Sequence, residues 1–157
     1  MKNFRSYFRS FVAQYAIPEQ KKSPRGQITI KKVPSTSRNK AKLIAELATD
    51  KKAEDIVILD MRRIVNVCDY FVVISGTSER HAQAIANGIE EGLLDAGLKV
   101  RYREGIKSSK WVLIDLGDVV THIFEAETRE FYGLEHLWQD AARVNWKKKS
   151  KLKPSAV

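Results

Sequence analysis

The segment Trp111-Val112-Leu113-Ile114-Asp115-Leu116-Gly117-Asp118-Val119-Val120-Thr121-His122-Ile123-Phe124 constrains the fold more than any other stretch of the chain. Two runs of apolar and β-branched residues flank a two-residue Gly-Asp break. Glycine in the first loop position is the type II′ hairpin pattern. A loop of fixed length sets the register, pairing Leu116 with Val119, Asp115 with Val120, Leu113 with His122 and Trp111 with Phe124. Side chains alternate between the two faces of a strand. Val112, Ile114, Leu116, Val119, Thr121 and Ile123 therefore share one face, nearly all apolar, which is expected to lie on core helices. Trp111, Leu113, Asp115, Val120, His122 and Phe124 share the other. Large aromatics mixed with an acid and a histidine predict a half-wet face, with an exposed indole of the kind that anchors partners.

The rest of the central region supplies the elements around this hairpin. Residues 40–53 place Ile44, Leu47 and Ala48 on one helical face. Asp55–Asp60 and Tyr70–Ser75 read as buried strands. Thr77 or Ser78 caps a helix that runs to about Ala96, with Ala82, Ile85, Ala86, Ile89, Leu93 and Ala96 facing the core. Gly97 ends it, as a C′ glycine does. A third strand follows near Leu98–Arg103. A last helix is expected over Glu127–Asp140, with Phe131, Leu134 and Trp138 on one stripe. The order α-β-β-α-β-β-β-α predicts an α/β (α+β) domain, a mixed sheet with helices packed on it.

Charge divides the chain into three. Residues 1–40 carry ten Lys/Arg and one acid, Glu19, with three of the four prolines. Residues 143–157 carry six Lys/Arg and no acid. The net charge of +9 therefore conceals a central region that is acidic. We read 1–39 as a basic extension, flexible beyond Ile17, 40–142 as the folded domain and 143–157 as a basic tail. Basic tails favour phosphate backbones, so Lys147, Lys148, Lys149 and Lys151 are candidate RNA contacts without sequence preference. An acidic body favours a basic protein. The opening Phe4–Val12, rich in Arg and Ser, has the character of a short basic amphipathic helix or an organelle transit peptide. No apolar run is long enough to cross a membrane. One cysteine, Cys68, excludes an intramolecular disulfide.

Catalytic signatures are weak. Gly76-Thr77-Ser78 precedes a helix but lacks either Gly-rich phosphate-binding pattern, which favours a plain helix cap over a phosphate cradle. His81, beside that loop, reads as a residue that packs or bonds at the helix start. Cys68 as a nucleophile would need a base such as His81 or His122, and no spacing joins them. Asp115 and Asp118 straddle a turn, and no DxD pair exists for two metal ions. Glu125, Glu127 and Glu130 suit a solvated helix start. Three histidines without HxxxH or HExxH spacing argue against a metal. The competing enzymatic reading is a small nucleotide-binding or nucleotidyltransferase-like protein using Gly76–His81.

Four blocks occurring in order, Cys68-Asp69-Tyr70-Phe71, Gly76-Thr77-Ser78-Glu79-Arg80-His81, Trp111–Phe124 and Phe131-Tyr132-Gly133-Leu134-Glu135-His136-Leu137-Trp138, resemble the ribosomal silencing factor, or Iojap-like, family over about residues 41–140. The resemblance implies a nucleotidyltransferase-like fold without known catalysis, no cofactor, and binding to the large ribosomal subunit on large-subunit ribosomal protein fourteen, a small basic β protein. It implies that the bound factor blocks the small subunit and lowers translation when nutrients are scarce. It places the contact at the tryptophan opening the penultimate strand, here Trp111, with neighbouring acids. Asp115 would pair with a basic partner residue, and Glu104 would join it from the preceding loop. By register, Leu113, His122 and Phe124 would exclude water around them. The family's bacterial members imply a cytoplasmic setting, and its organellar relatives a mitochondrial matrix if residues 1–40 are a transit peptide. An exposed apolar face would also suit a homodimer when the ribosome is absent.

Overall fold

A computed structural model describes residues 34–105 and 110–147. The expected helix at Phe4–Val12, the extension up to residue 33, and Lys148, Lys149 and Lys151 lie outside the described residues. Ten elements follow in order: α1 (Ser37–Asp50), β1 (Glu54–Asp60), β2 (Tyr70–Gly76), α2 (Glu79–Asp95), β3 (Tyr102–Glu104), β4 (Trp111–Asp115), β5 (Val119–Glu125), α3 (Ala126–Tyr132), α4 (Leu134–Leu137) and β6 (Ala142–Arg143). The sheet runs β3-β4-β5-β2-β1-β6. Its central pair, β2 and β5, is parallel, and every other pairing is antiparallel. The mixed α/β architecture and the order of the first seven elements match the sequence reading.

The hairpin sets this arrangement. Trp111 pairs with Phe124, Leu113 with His122 and Asp115 with Val120, as the two-residue loop requires. Leu116 N–H donates to Val119 O at 2.9 Å, closing the turn. Gly117 has φ +95°, the left-handed value demanded of the first loop position in a II′ turn. The loop is tied to its surroundings at Asp118. Its carbonyl accepts from the amides of Asp69 and Tyr70, and its carboxylate meets Lys40 Nζ of α1 at 2.8 Å.

One face of the sheet packs on α1 and α2. Val112, Ile114, Val119 and Ile123 join Ile44, Ala48, Ile85, Ile89 and Leu93 in a core with no exposed atoms to speak of. Burial of each large aliphatic side chain there contributes about 1.5–3 kcal/mol. The N-caps of α1 and α2 are chemical. Thr36 accepts from Asn39 N–H, and Ser78 accepts from His81 N–H at 3.1 Å.

The opposite face is a second core, and here the sequence reading needs correction. That face is not half wet. Leu113, Val120, His122 and Phe124 are buried with Leu59, Phe71 and Val73. The cover comes from the irregular connection through Met61, Val65, Val67 and Cys68, and from Tyr132, Leu134, Trp138 and Ala141. The apolar face invoked for self-association is thus occupied by the chain itself.

Three further differences concern the last helix, the ends of the folded region and the third strand. Gly133 adopts a left-handed conformation (φ +55°, ψ +44°) and splits the expected helix into α3 and α4. The break changes the helical phase, so Leu134 is fully buried while Phe131 is 71% exposed rather than on a core stripe. The folded region also extends beyond 40–142. α1 begins at Ser37, β6 pairs Ala142 and Arg143 with β1, and Trp146 donates its indole N–H to Ile56 O at 3.3 Å. The third strand is shorter than expected and starts at Tyr102.

Candidate functional site

Two places on the fold invite a functional reading, the Gly76–His81 loop and the β3–β4 end of the sheet. The loop is closed. A Cβ on Gly76 would lie 2.8 Å from the Ala82 amide nitrogen, so glycine here permits close approach of β2 to α2 rather than access for a ligand. His81 uses both ring nitrogens. Nδ1 accepts the Thr77 amide N–H at 3.0 Å, which leaves the proton on Nε2 to donate to Lys51 O at 2.9 Å. The histidine links β2, α2 and the end of α1, as a structural residue does. Cys68 is buried, and burial foremost, with Asp115, Asp69 and Asp118 nearby, raises its thiol to about 12. A thiol that holds its proton this firmly is a poor nucleophile at neutral pH. Among the described residues, no three His, Cys, Asp or Glu side chains gather to hold a metal, and no helix is long and apolar enough to cross a membrane.

The β3–β4 end is where the sequence places its candidates. Register aligns them in rows on the second face: Tyr102, Asp115, Val120 and Phe71; then Glu104, Leu113, His122 and Val73; then Trp111 and Phe124. The rows grade from buried to accessible. His122 and Phe124 are wholly buried, Leu113 nearly so, and Trp111 and Glu104 are half-buried. Leu113, His122 and Phe124 therefore form a floor beneath the surface rather than a rim upon it, because the residues of the 132–141 region and the 61–68 connection cover them.

Trp111 sits where the floor reaches solvent. Its ring stacks on Phe124 (centroids 5.1 Å apart, 24° between planes) and meets Tyr132 at 5.0 Å. Its indole Nε1–H donates to His122 Nδ1 at 3.2 Å. Burial lowers His122 to about 3, so the imidazole is neutral. Tyr132 in turn contacts Phe131 edge-on at 5.2 Å. Trp111, Tyr132 and Phe131 thus form an aromatic strip that rises from half-buried to exposed. Glu127 and Glu130 stand exposed on the same short helix as Phe131.

Asp115 is only 8% exposed, and its Oδ1 accepts the Gly117 amide at 2.6 Å. Burial raises its carboxyl, while the Gly117 amide and Arg101 pull it back. Asp115, the acid expected to meet a basic partner, thus also braces its own loop. Beside it lies a cleft of about 420 Å³ lined by Lys40, Asp69, Arg101 and Asp118, in which Lys40 and Asp118 neutralise each other. Lys147 is exposed just beyond Trp146, at the β1–β6 rim of the sheet.

The sequence reading missed Phe131 and Arg129. An unbroken helix across Gly133 hides Phe131, and the residue type of Gly133 is the available signal. Arg129 is buried and joins α3 to Asp55 O at 2.6 Å, Ser75 Oγ at 2.8 Å and the Glu135 carboxylate. No local pattern announces such a residue.

Comparison with known proteins gives a consistent answer. The family model described as "Ribosomal silencing factor during starvation" matches residues 34–156. The Ribosomal silencing factor RsfS of Bacillus subtilis is 46% identical over 100 residues, covering 64% of this chain and 85% of that protein. The mouse protein named "Mitochondrial assembly of ribosomal large subunit protein 1" is 34% identical over 101 residues, covering 61% of this chain and 43% of its own length. A solved structure from Chromobacterium violaceum is similar at a TM-score of 0.65 and 32% identity, over 74% of this chain and 97% of that one. Another, from Bacillus halodurans, gives 0.61 and 38%, over 69% and 98%.

Proposed function

Since the chain belongs to the ribosomal silencing factor family, we propose that it represses translation by binding the large ribosomal subunit and obstructing its union with the small subunit. Its docking surface is the aromatic strip Trp111–Tyr132–Phe131 with the acids Glu104, Glu127 and Glu130, and its direct partner is large-subunit ribosomal protein fourteen. The observation that carries this reading is the half-buried indole of Trp111, joined through Tyr132 to Phe131 on a short helix that also carries the exposed Glu127 and Glu130, on a domain that is acidic overall. Apolar anchors ringed by charge are how a small surface gains both affinity and choice of partner, and carboxylates favour a basic partner. Leu113, His122 and Phe124 act from below, holding the anchor rigid. Asp115 keeps the hairpin loop in shape, and any contact with a basic partner residue would be additional. The Lys-rich segment from Lys147 adds phosphate contacts to ribosomal RNA, which strengthen binding without choosing the target.

The test is co-sedimentation of the full chain with purified large subunits, and its effect on subunit joining. Trp111→Ala should weaken binding about thirtyfold or more, the equivalent of about 2 kcal/mol for a central aromatic anchor. The substitution also removes packing on Phe124 and Tyr132, so affinities are compared well below both melting transitions. Unchanged binding by Trp111→Ala would discard this surface.

A further inference from the structure

His122 has no place in a contact list, since it is wholly buried, yet it touches the anchor through Nδ1, the one side-chain polar atom it has with a partner among the described residues. Because Nδ1 accepts the indole N–H, the ring proton resides on Nε2. That Nε2 is buried and has no hydrogen-bond partner among the described residues. The surroundings are aromatic: Phe71 in a T-shaped contact at 4.8 Å, Trp111 at 5.8 Å and Phe124 at 6.2 Å. A buried N–H without an acceptor disfavours the folded state. An apolar ring here would avoid that cost, but would leave the Trp111 N–H without this acceptor.

We propose that His122 is the positioning residue of the docking surface: it holds the Trp111 indole with its N–H turned inward, so that the partner meets only the carbon framework of the ring. This rests on the docking role of Trp111. It sets the chemistry of what can be recognised, because an indole whose donor is engaged internally offers no hydrogen bond to the partner. It offers dispersion and the π electrons, which suit the aliphatic stem or the cationic head of a Lys or Arg on a basic protein. It also fixes one orientation before binding. A partner that must select one orientation among several binds more weakly in proportion to that orientation's population.

Nuclear magnetic resonance of the full chain tests the bond without any variant. Long-range ¹⁵N–¹H spectra should show His122 as the Nε2–H tautomer, and the Nδ1–H tautomer would overturn the proposal. The Trp111 indole resonance, identified by its loss in Trp111→Phe, should exchange slowly with solvent. His122→Phe keeps an aromatic ring without the acceptor and should speed that exchange tenfold or more. His122→Asn places a side-chain oxygen near the position of Nδ1 and should restore protection. Affinity for purified large subunits should fall about five- to tenfold in His122→Phe and recover in His122→Asn. In the Trp111→Phe background, His122→Phe should have no further effect. Normal affinity in His122→Phe, with Trp111→Ala still defective, would overturn the positioning role and leave the docking reading standing. Normal affinity in Trp111→Ala would remove both.

Discussion

Two helices of this chain end in the same hydrogen-bond pattern with different residues in the critical position. After α2, Gly97 is left-handed (φ +77°), its N–H reaches Leu94 O, and the Leu98 N–H reaches Leu93 O. After α1, Lys52 takes that place (φ +57°), its N–H reaches Thr49 O, and the Ala53 N–H reaches Ala48 O. Both are Schellman closures, but only glycine enters the left-handed region without a Cβ clash. Lys52 is exposed and shows no ion pair among the described residues. Lys52→Gly should therefore stabilise the fold by about 1 kcal/mol. A thermal melt should show a rise of about 4 °C, and a fall would mean that the lysine side chain contributes more than its backbone strain costs.

Among the elements, the hairpin was the most legible and the short helices were the least. A two-residue loop with glycine first leaves one register, so the β4–β5 pairing and the division of its two faces could be counted from the residues. What lay over the second face could not, because residues 61–68 and 132–141 carry no sustained period. Their coverage depends on tertiary contacts, such as the Arg129 links to Asp55, Ser75 and Glu135, that leave no local trace. The same gap put Phe131 on a core stripe. The two residues flanking the Tyr132-Gly133 junction now separate by experiment. Leu134→Ala should cost about 2–5 kcal/mol, the range for truncating a buried leucine. Phe131→Ser should leave stability within about 0.5 kcal/mol and weaken large-subunit binding severalfold. Urea unfolding and co-sedimentation measure the two effects, and a strongly destabilised Phe131→Ser would return that residue to the core.

The whole molecule is tuned to neutral pH by groups on both sides of its sheet. His122 protonates at an ordinary 6.5 when unfolded but only near 3 when folded, because burial disfavours the cation. Stability from this group is complete above pH 6.5 and falls by about 1 kcal/mol per pH unit below it, down to about 3. Asp60, bonded to Arg62, has its carboxyl held below 3.8. For Glu135, burial pushes upward but bonding to Arg129 prevails, leaving it below 4.5. Both contribute stability that disappears as pH falls through their lowered values. Asp115 acts oppositely, since burial makes it take up a proton more readily when folded. Above pH 9, the unfolded chain releases the Cys68 proton that the folded one keeps until about 12. The urea midpoint should accordingly plateau between about pH 6.5 and 9 and decline on either side. His122→Phe should flatten the upper part of the acid limb, and a midpoint unchanged down to pH 4 would contradict the buried neutral imidazole.

Sheet order has a mechanical corollary. β2 lies between β1 and β5 with every residue buried, whereas β3 is a three-residue rim with one neighbour among the described residues. Local opening is governed by how much each strand is held on both sides. In the docking patch proposed above, Trp111 stands on β4, one strand in from the rim and stacked on Phe124 of β5, while Glu104 stands on the pliable border itself. An encounter with the subunit would begin with a compliant acidic lip that adjusts to the partner's contour, and would finish against a hard aromatic stop.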